Sequence, residues 1–264
     1  MDAGTALEEA VGRLRSRAGL LLLVGFLAVG TATVVARQTL LATSISQYLA
    51  AGGDPAALPV DPAAFRPIVL ALPVGYGPSL LVFGAVAVVS EYLSVVALRT
   101  VAGEPVREAA GRRVGRAVFS GFVVGVLVKT LVIAGLVALV LPGLYAATVL
   151  LFAHARVAIE DDGVLAALAE SRRVASGRLL PVGVVVGTLG LLYLAPRVAG
   201  GLLPAESVGL LVGGLLVGAA NLLSSALVAR AYVGFRDETP TDDESEDEED
   251  PYDAPLGPDD LPEP

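Results

Sequence analysis

The chain has 264 residues, of which 55% are apolar and 17% charged, and its mean hydropathy is +0.72. A soluble domain is about half apolar, and charges interrupt its apolar runs. Here several uncharged runs reach the roughly 20 residues that one helical membrane crossing requires. The composition therefore excludes an ordinary soluble domain and predicts an all-α, polytopic transmembrane helical bundle.

The net charge of −9 is distributed unevenly along the chain. Residues 237–264 carry 14 acidic residues and no lysine or arginine, whereas residues 1–236 carry 18 bases against 13 acids, a net charge of +5. This division predicts a transmembrane domain over 1–236 and a disordered acidic tail over 237–264. The tail would either bind a basic partner or keep the protein soluble at high salt.

The residue types that usually hold metals and cofactors are scarce. The chain has no cysteine and one histidine, which excludes disulfides, thiolate metal sites and multi-histidine metal sites. It shows neither a phosphate-binding loop nor a nucleic-acid motif, so we expect no cofactor, no metal and no nucleic-acid partner. Because 17 of the 18 bases are arginine, the composition also resembles that of salt-loving archaeal proteins.

Taken in chain order, the apolar runs predict six membrane spans. Residues 2–17 precede them as an interfacial amphipathic helix, and residues 37–67 form the longest polar connection. As one helix, the run 117–153 would be about 55 Å long, against a bilayer core of about 30 Å, so we place a turn at Pro142-Gly143. The predicted spans are 18–36, 74–98, 117–140, 143–159, 179–196 and 207–229.

The arginines predict the orientation of these spans. With the N-terminus in the cytoplasm, 14 arginines lie in cytoplasmic segments, and the outer segments hold 3, namely Arg37, Arg66 and Arg197. Cytoplasmic loops are enriched in Lys and Arg. We therefore expect both termini on the cytoplasmic side of the cell membrane.

Three basic segments, 2–17, 99–116 and 163–178, each precede a pair of spans. Each contains a Glu eight residues before an Arg, with another Arg between them. This spacing predicts either three copies of an interfacial helix followed by two spans, over 5–98, 104–159 and 163–236, or a chance product of positive-inside enrichment. In the last segment, Val164, Leu165, Leu168 and Ala175 share one helical face. The arginines predicted to contact anionic lipid headgroups are Arg112, Arg113, Arg172 and Arg173.

Three ionisable residues interrupt the apolar runs and are the candidate functional positions. Lys129 lies 13 residues past Arg116, near the middle of the membrane, where a charge costs roughly 2.5–3.5 kcal/mol. It is either an ion, proton or substrate site, or a structural residue that pairs with Glu91 in the preceding span or snorkels to the interface. His154 is either a hydrogen-bonded packing residue or a proton relay.

Two further polar features are given structural interpretations. Glu160-Asp161-Asp162 could bind a cation, but the sequence offers no further oxygen ligands nearby. We expect a solvated turn that caps the helix beginning near Gly163. Ser171 is not surrounded by a nucleophile motif and has no histidine near it in sequence, so we expect no catalytic role for it.

A set of short motifs runs through the middle of the chain. It comprises Leu141-Pro142-Gly143, Ile159-Glu160, Gly163, Ala167-Leu168, Ser171 and Gly177. With these motifs the chain resembles a family of multi-pass proteins similar to the membrane domain fused to some glycerophosphodiester phosphodiesterases. Arg172 stands where that family often has an aromatic residue, and the sequence holds no counterpart of the hydrolase domain. The resemblance therefore implies a membrane fold without catalytic activity.

These observations predict an integral membrane protein that is not an enzyme. It would be an accessory or scaffold component of the cytoplasmic membrane, in contact with the lipid bilayer and with a membrane-protein partner or a second copy of itself. The alternative is a transporter or channel subunit that uses Lys129 and Glu91, since broken helices and buried charges form transport sites. A membrane enzyme acting on lipid would need a nucleophile or metal cluster that the sequence does not show.

Overall fold

The structure is a computed structural model that describes residues 12, 16–57, 70–202 and 207–237. In this part of the chain every regular element is helical, which confirms the all-α class. The predicted amphipathic helix over 2–17 and the predicted tail lie almost wholly outside the described residues. The helices are α1 Arg17–Ala50, α2 Tyr76–Ala102, α3 Val106–Ala109, α4 Val114–Ala138, α5 Val140–Val149, α6 Ala153–Ile159, α7 Val164–Ala175, α8 Leu179–Leu202 and α9 Ser207–Asp237, with a short 3₁₀ turn at Pro55–Ala57.

Six helical segments are long and apolar enough to cross a membrane, as the sequence predicts. They are α1, α2, α4, α5 together with α6 (Val140–Ile159), most of α8 (Leu179–Gly200) and α9 from Val208. The protein is therefore a multi-pass integral membrane protein.

The first helix is much longer than the predicted span 18–36. α1 has 34 residues and is about 51 Å long, so residues 37–50 are helical and do not belong to an irregular connection. Arg37 does not end the helix because charge alone does not break one. The helix ends where Gly52 adopts a positive φ of 82°. The added length is held in place by Thr39, whose hydroxyl accepts a hydrogen bond from the Leu72 N–H at 3.0 Å.

The turn between the third and fourth spans falls three residues before its predicted position. Leu139 is extended, with φ −161° and ψ 142°, and separates α4 from α5. Pro142 instead lies in the first turn of α5, where its missing N–H leaves no hydrogen bond unmade. Gly135 and Gly143 allow the two helices to meet closely, since a Cβ on Gly135 would lie 2.7 Å from the Gly143 Cα.

The fourth span is broken between α5 and α6, and Ser171 of α7 bridges the break. The Ser171 hydroxyl donates to the Val149 carbonyl at 2.9 Å and accepts from the Phe152 N–H at 3.1 Å. Both groups lie at the interruption, where helical partners are lost. Ser171 is fully buried, so its role here is structural.

The two described basic segments fold differently from one another. In 163–178, α7 is a 12-residue helix, but its predicted face is partly wrong, because Leu165 is 81% exposed and Ala167, Ser171 and Val174 are buried instead. In 99–116 the only separate helix is α3, with four residues, because Pro105 and Gly111 limit it. That segment is therefore not a long interfacial helix, and the two segments do not form structurally equivalent units.

α1 and α9 make the closest helix contact. A Cβ on Gly30 would lie 2.3 Å from the Gly214 carbonyl oxygen, and a Cβ on Gly218 would lie 2.2 Å from the Phe26 carbonyl oxygen. Small residues four apart permit such an approach in a membrane. Gly214 and Gly218 are used in this way, whereas a Cβ on Gly213 would meet nothing within 4 Å.

The largest buried cluster lies at one end of the bundle, here called the arginine-rich end because Arg99, Arg112, Arg156 and Arg236 meet there. Phe152 stacks between Tyr232 and Phe235, with ring centroids 5.9 Å from each. The cluster also contains Val95, Leu98, Val101, Val174, Val182, Val185 and Leu227. The helices are therefore tied together at this end, and the space between them opens further into the membrane.

Candidate functional site

Arg99 forms the centre of a hydrogen-bond network at the arginine-rich end. Its side chain is 0% exposed and donates to the carbonyls of Ala158, Ala109 and Arg112 at 2.5, 3.2 and 2.5 Å. It also donates to Asp161 Oδ1 at 2.7 Å. A buried charge is stable only when its donors are satisfied, and here four acceptors surround it.

Arg112 completes the pairing of Asp161 from the other side. It contacts Asp161 Oδ2 at 2.5 Å and binds Glu104 through two hydrogen bonds of 3.1 Å each. The hydrogen bonds with Glu104 raise the pKa of Arg112 above its ordinary value, so this guanidinium stays charged at every physiological pH. The predicted headgroup contact of Arg112 would therefore have to compete with two carboxylates.

The remaining acids of the 160–162 turn are paired as well. Asp162 binds Arg156 at 2.6 Å, and Glu160 binds Arg236 at 2.8 Å and accepts from the Tyr232 hydroxyl at 3.2 Å. The prediction of a solvated cap is wrong, because α7 begins after Gly163 without a side-chain cap. The three acids instead bind arginines of α2, α6, α9 and the α3–α4 connection, and they offer no vacant carboxylates for a cation.

The other predicted headgroup contacts are placed as follows. Arg113 and Arg172 are exposed, and their side chains form no hydrogen bond or ion pair with another described residue. Arg173 is paired with Glu170 at 2.8 Å. Contact with anionic lipid stays a prediction for all of these arginines.

Glu91 and His154 face each other inside the spans. His154 Nε2 lies 3.1 Å from Glu91 Oε1, so Glu91 pairs with the histidine and not with Lys129. Gly121 of α4 makes the room for this contact, because a Cβ there would lie 2.3 Å from Glu91 Oε1. The pair joins α2, α4 and α6 at one level.

Lys129 lines a cavity of about 660 Å³ between α2, α4, α5, α8 and α9. It lies about 22 Å along α4 from Val114. The side chain is exposed, and no described residue forms a hydrogen bond or ion pair with it. The predicted structural pairing of Lys129 with Glu91 is therefore not present. His154 also lines this cavity, whereas Glu91 does not.

Each helix turns one face toward the cavity. The lining residues of α4, α8 and α9 are three or four positions apart, which places them on one side of each helix. The polar wall comes from α9 and α2, where the Ser94 and Ser225 hydroxyls lie 3.4 Å apart. The polar lining residues are Ser94, Lys129, His154, Tyr193, Asn221, Ser224 and Ser225, and the other thirteen are apolar or glycine.

A smaller cavity of about 50 Å³ adjoins the larger one and shares Tyr193, Asn221 and Ser224 with it. Arg197 lines this smaller space, and its guanidinium lies 3.4 Å from the centroid of the Tyr193 ring. A space of this size holds several water molecules. It extends the polar wall toward the end of α8 that is remote from the arginine-rich end.

Sequence reasoning identified Lys129 and His154 but missed the polar wall. Asn221, Ser224 and Ser225 follow an i, i+3, i+4 spacing in an otherwise apolar span, and this is the signal that could have revealed them. Ser94 and Tyr193 carry no such signal, because single hydroxyls are common in membrane helices.

Comparison with protein-family models, with curated proteins and with solved structures finds no match to this chain.

Proposed function

We propose that this membrane protein binds a small organic molecule in the cavity around Lys129 and moves it within or across the bilayer, as a transporter does. The observation that carries the proposal is a cavity of about 660 Å³ inside the spans. Its size lies within the roughly 300–1,000 Å³ of ligand pockets, and its lining of apolar walls with a few polar groups is typical of them. Binding and release would need no covalent chemistry, so the proposal keeps the expectation of a non-enzymatic protein.

The broken fourth span supports the same proposal. α5 ends at Val149 and α6 begins at Ala153, and Leu150, Leu151 and His154 line the cavity around this interruption. Interrupted membrane helices place irregular backbone beside a binding site. Ser171 of α7 forms hydrogen bonds with both sides of the interruption, so a movement of α7 would displace residues of the cavity wall.

The experiment uses two glycines of α8 with open space around them. A Cβ on Gly190 or on Gly187 would meet no atom within 4 Å, but Gly190 lines the cavity and Gly187 does not. Radiolabelled laurate, dodecanol and dodecylamine are titrated onto the protein in phosphatidylcholine nanodiscs, with empty nanodiscs as blanks. We expect saturable binding of at least one probe, lost in Gly190→Leu and kept in Gly187→Leu. Binding of no probe, or equal binding by both variants, would contradict the proposal.

The accessory or scaffold role is the second candidate. It is favoured by exposed arginines of the arginine-rich end whose side chains form no hydrogen bond or ion pair with a described residue, namely Arg107, Arg113, Arg116 and Arg172. A crosslinked pull-down from native membranes compares the full chain with one ending at Arg236. A stoichiometric partner that is lost on truncation would support this role, whereas no partner with either chain would contradict it.

The resemblance to membrane domains fused to glycerophosphodiester phosphodiesterases stays part of the proposal. It agrees with a membrane domain that handles a molecule and leaves the chemistry to another protein.

A further inference from the structure

The charges around the cavity indicate the chemical class of its ligand, an inference that rests on the proposed function. None of the lining residues is an aspartate or glutamate. Lys129 is exposed to the cavity and has no ion-pair partner in the described part of the chain. The Glu91 carboxylate lies 3.1 Å from His154 and is not part of the lining. We infer that the ligand is a single-headed amphipathic anion, a carboxylate or phosphate on an apolar body, whose headgroup binds Lys129.

The uncompensated charge of Lys129 favours an anion over a neutral or cationic molecule. A charged side chain in a membrane-spanning segment is stabilised by a partner of opposite sign or by water. The protein supplies no partner among the described residues, so the ligand would supply it. A cationic ligand would meet repulsion from Lys129 without any lining carboxylate to offset it.

The neutral groups of the cavity suit the same headgroup. Ser94, Ser224 and Ser225 offer hydroxyl donors, and Asn221 offers an amide N–H₂. Oxyanions accept several such hydrogen bonds at once, and donors to charged acceptors are the stronger ones. Glu91 lies beside His154 and is not part of the cavity lining, so its carboxylate is not placed to compete with the anion for Lys129.

The remaining walls suit an apolar body, and Arg197 supplies a second positive charge in the adjoining small cavity. Thirteen of the lining residues are apolar or glycine, which leaves most of a bound molecule in contact with carbon. Arg197 lines the adjoining small cavity, which shares Tyr193 and Asn221 with the main one. Two cations that line adjoining cavities would draw an anion inward.

The absence of cysteine from the chain allows the charge of Lys129 to be removed and replaced chemically. In Lys129→Cys we expect laurate binding in phosphatidylcholine nanodiscs to weaken by about tenfold to a hundredfold, the usual loss for a hydrogen bond to a charged group. Modification with 2-aminoethyl methanethiosulfonate, which adds a positive charge, should restore binding. The sulfonatoethyl reagent, which adds a negative charge, should not. The control is Ile133→Cys. Ile133 is 60% exposed and does not line the cavity.

The outcomes separate this inference from the proposed function. If dodecylamine or dodecanol binds more tightly than laurate, and Gly190→Leu abolishes that binding, the inference of an anionic ligand is overturned. The proposed binding function would still hold. Laurate affinity that is unchanged in Lys129→Cys and in Lys129→Gln would also overturn it. Lys129→Arg should retain binding because it keeps the charge.

The source of the anion is distinguished by a second arm. Native mass spectrometry of the protein from vesicles containing phosphatidylglycerol would show whether an anionic phospholipid occupies the site and is displaced by laurate. Displacement would identify a lipid headgroup as one source, and retention of laurate binding without any phospholipid would identify a free amphiphile. Both results support the anion, whereas preferential retention of phosphatidylcholine would contradict it.

Discussion

Arg99 donates four hydrogen bonds from a position without solvent exposure. In Arg99→Met, three carbonyls and one Asp161 oxygen lose their donor, so we expect the free energy of unfolding to fall by about 3–5 kcal/mol, as when one partner of a buried ion pair is removed. The measurement is SDS-induced unfolding in mixed micelles.

The control for this substitution is Arg107→Met. Arg107 is exposed and its side chain forms no hydrogen bond or ion pair with a described residue, so its loss should change stability by less than about 0.5 kcal/mol. Equal unfolding curves for the two variants would show that the Arg99 network contributes nothing to stability.

The candidate functional residues could be predicted from the sequence more successfully than the contacts that these residues make. Lys129, Glu91 and His154 were identified because an ionisable group in an apolar run is costly. The Glu91–His154 contact depends on how α2 packs against α6, which spacing along the chain does not encode. The same limit applies to Glu160-Asp161-Asp162, whose arginine partners lie up to 76 residues away in sequence.

Helices α1 and α9 provide a test at the level of a helix pair. Gly218→Ala would place a methyl group 2.2 Å from the Phe26 carbonyl oxygen. The Cβ is fixed to the α9 backbone and the oxygen belongs to the α1 backbone, so the two helices must separate. We expect the free energy of unfolding to fall by about 1–3 kcal/mol. The measurement is the unfolding midpoint in mixed micelles.

Gly213→Ala is the matched substitution five residues earlier in α9. Its added methyl group would meet nothing within 4 Å, so stability should be unchanged or rise by up to about 1 kcal/mol through the better helix propensity of alanine. If both alanines destabilise the protein equally, the close α1–α9 approach does not exist in the membrane.

The existence of each span could be predicted, but several of its ends could not. An uncharged run of about 20 residues is sufficient evidence for a crossing, and it identifies six helices. Charged residues were taken as helix ends, although α1 continues past Arg37 to Ala50 and α9 past Arg230 to Asp237. The helices end where the backbone leaves the helical conformation, as at Gly52 and Leu139. A charged side chain does not force the backbone to do so.

At the scale of the whole molecule, the two ends of the bundle differ in how they are held together. The arginine-rich end combines the largest buried cluster with the ion pairs of residues 160–162. The cavity opens between the same helices beyond that end. The opening lies among the other helices, since α1 lines no part of the cavity and stays packed against α9 at Gly30, Gly214 and Gly218.

The side from which the ligand would enter depends on the orientation of the bundle, which is the last prediction. Cytoplasmic segments are enriched in arginine, so the arginine-rich end should lie in the cytoplasm and Arg197 should face outward. Single cysteines are placed at exposed positions of the two ends by Ala51→Cys and Arg107→Cys. The unsubstituted chain has no cysteine and serves as the blank.

A membrane-impermeant maleimide should label Ala51→Cys in intact cells and Arg107→Cys only after permeabilisation. The reverse pattern would place Arg197 and the small cavity on the cytoplasmic side and would contradict the predicted orientation. Labelling of both positions in intact cells would contradict the separation of the two ends by α2. α2 is the described membrane-spanning helix between these two positions, so that result would also contradict its assignment as a span.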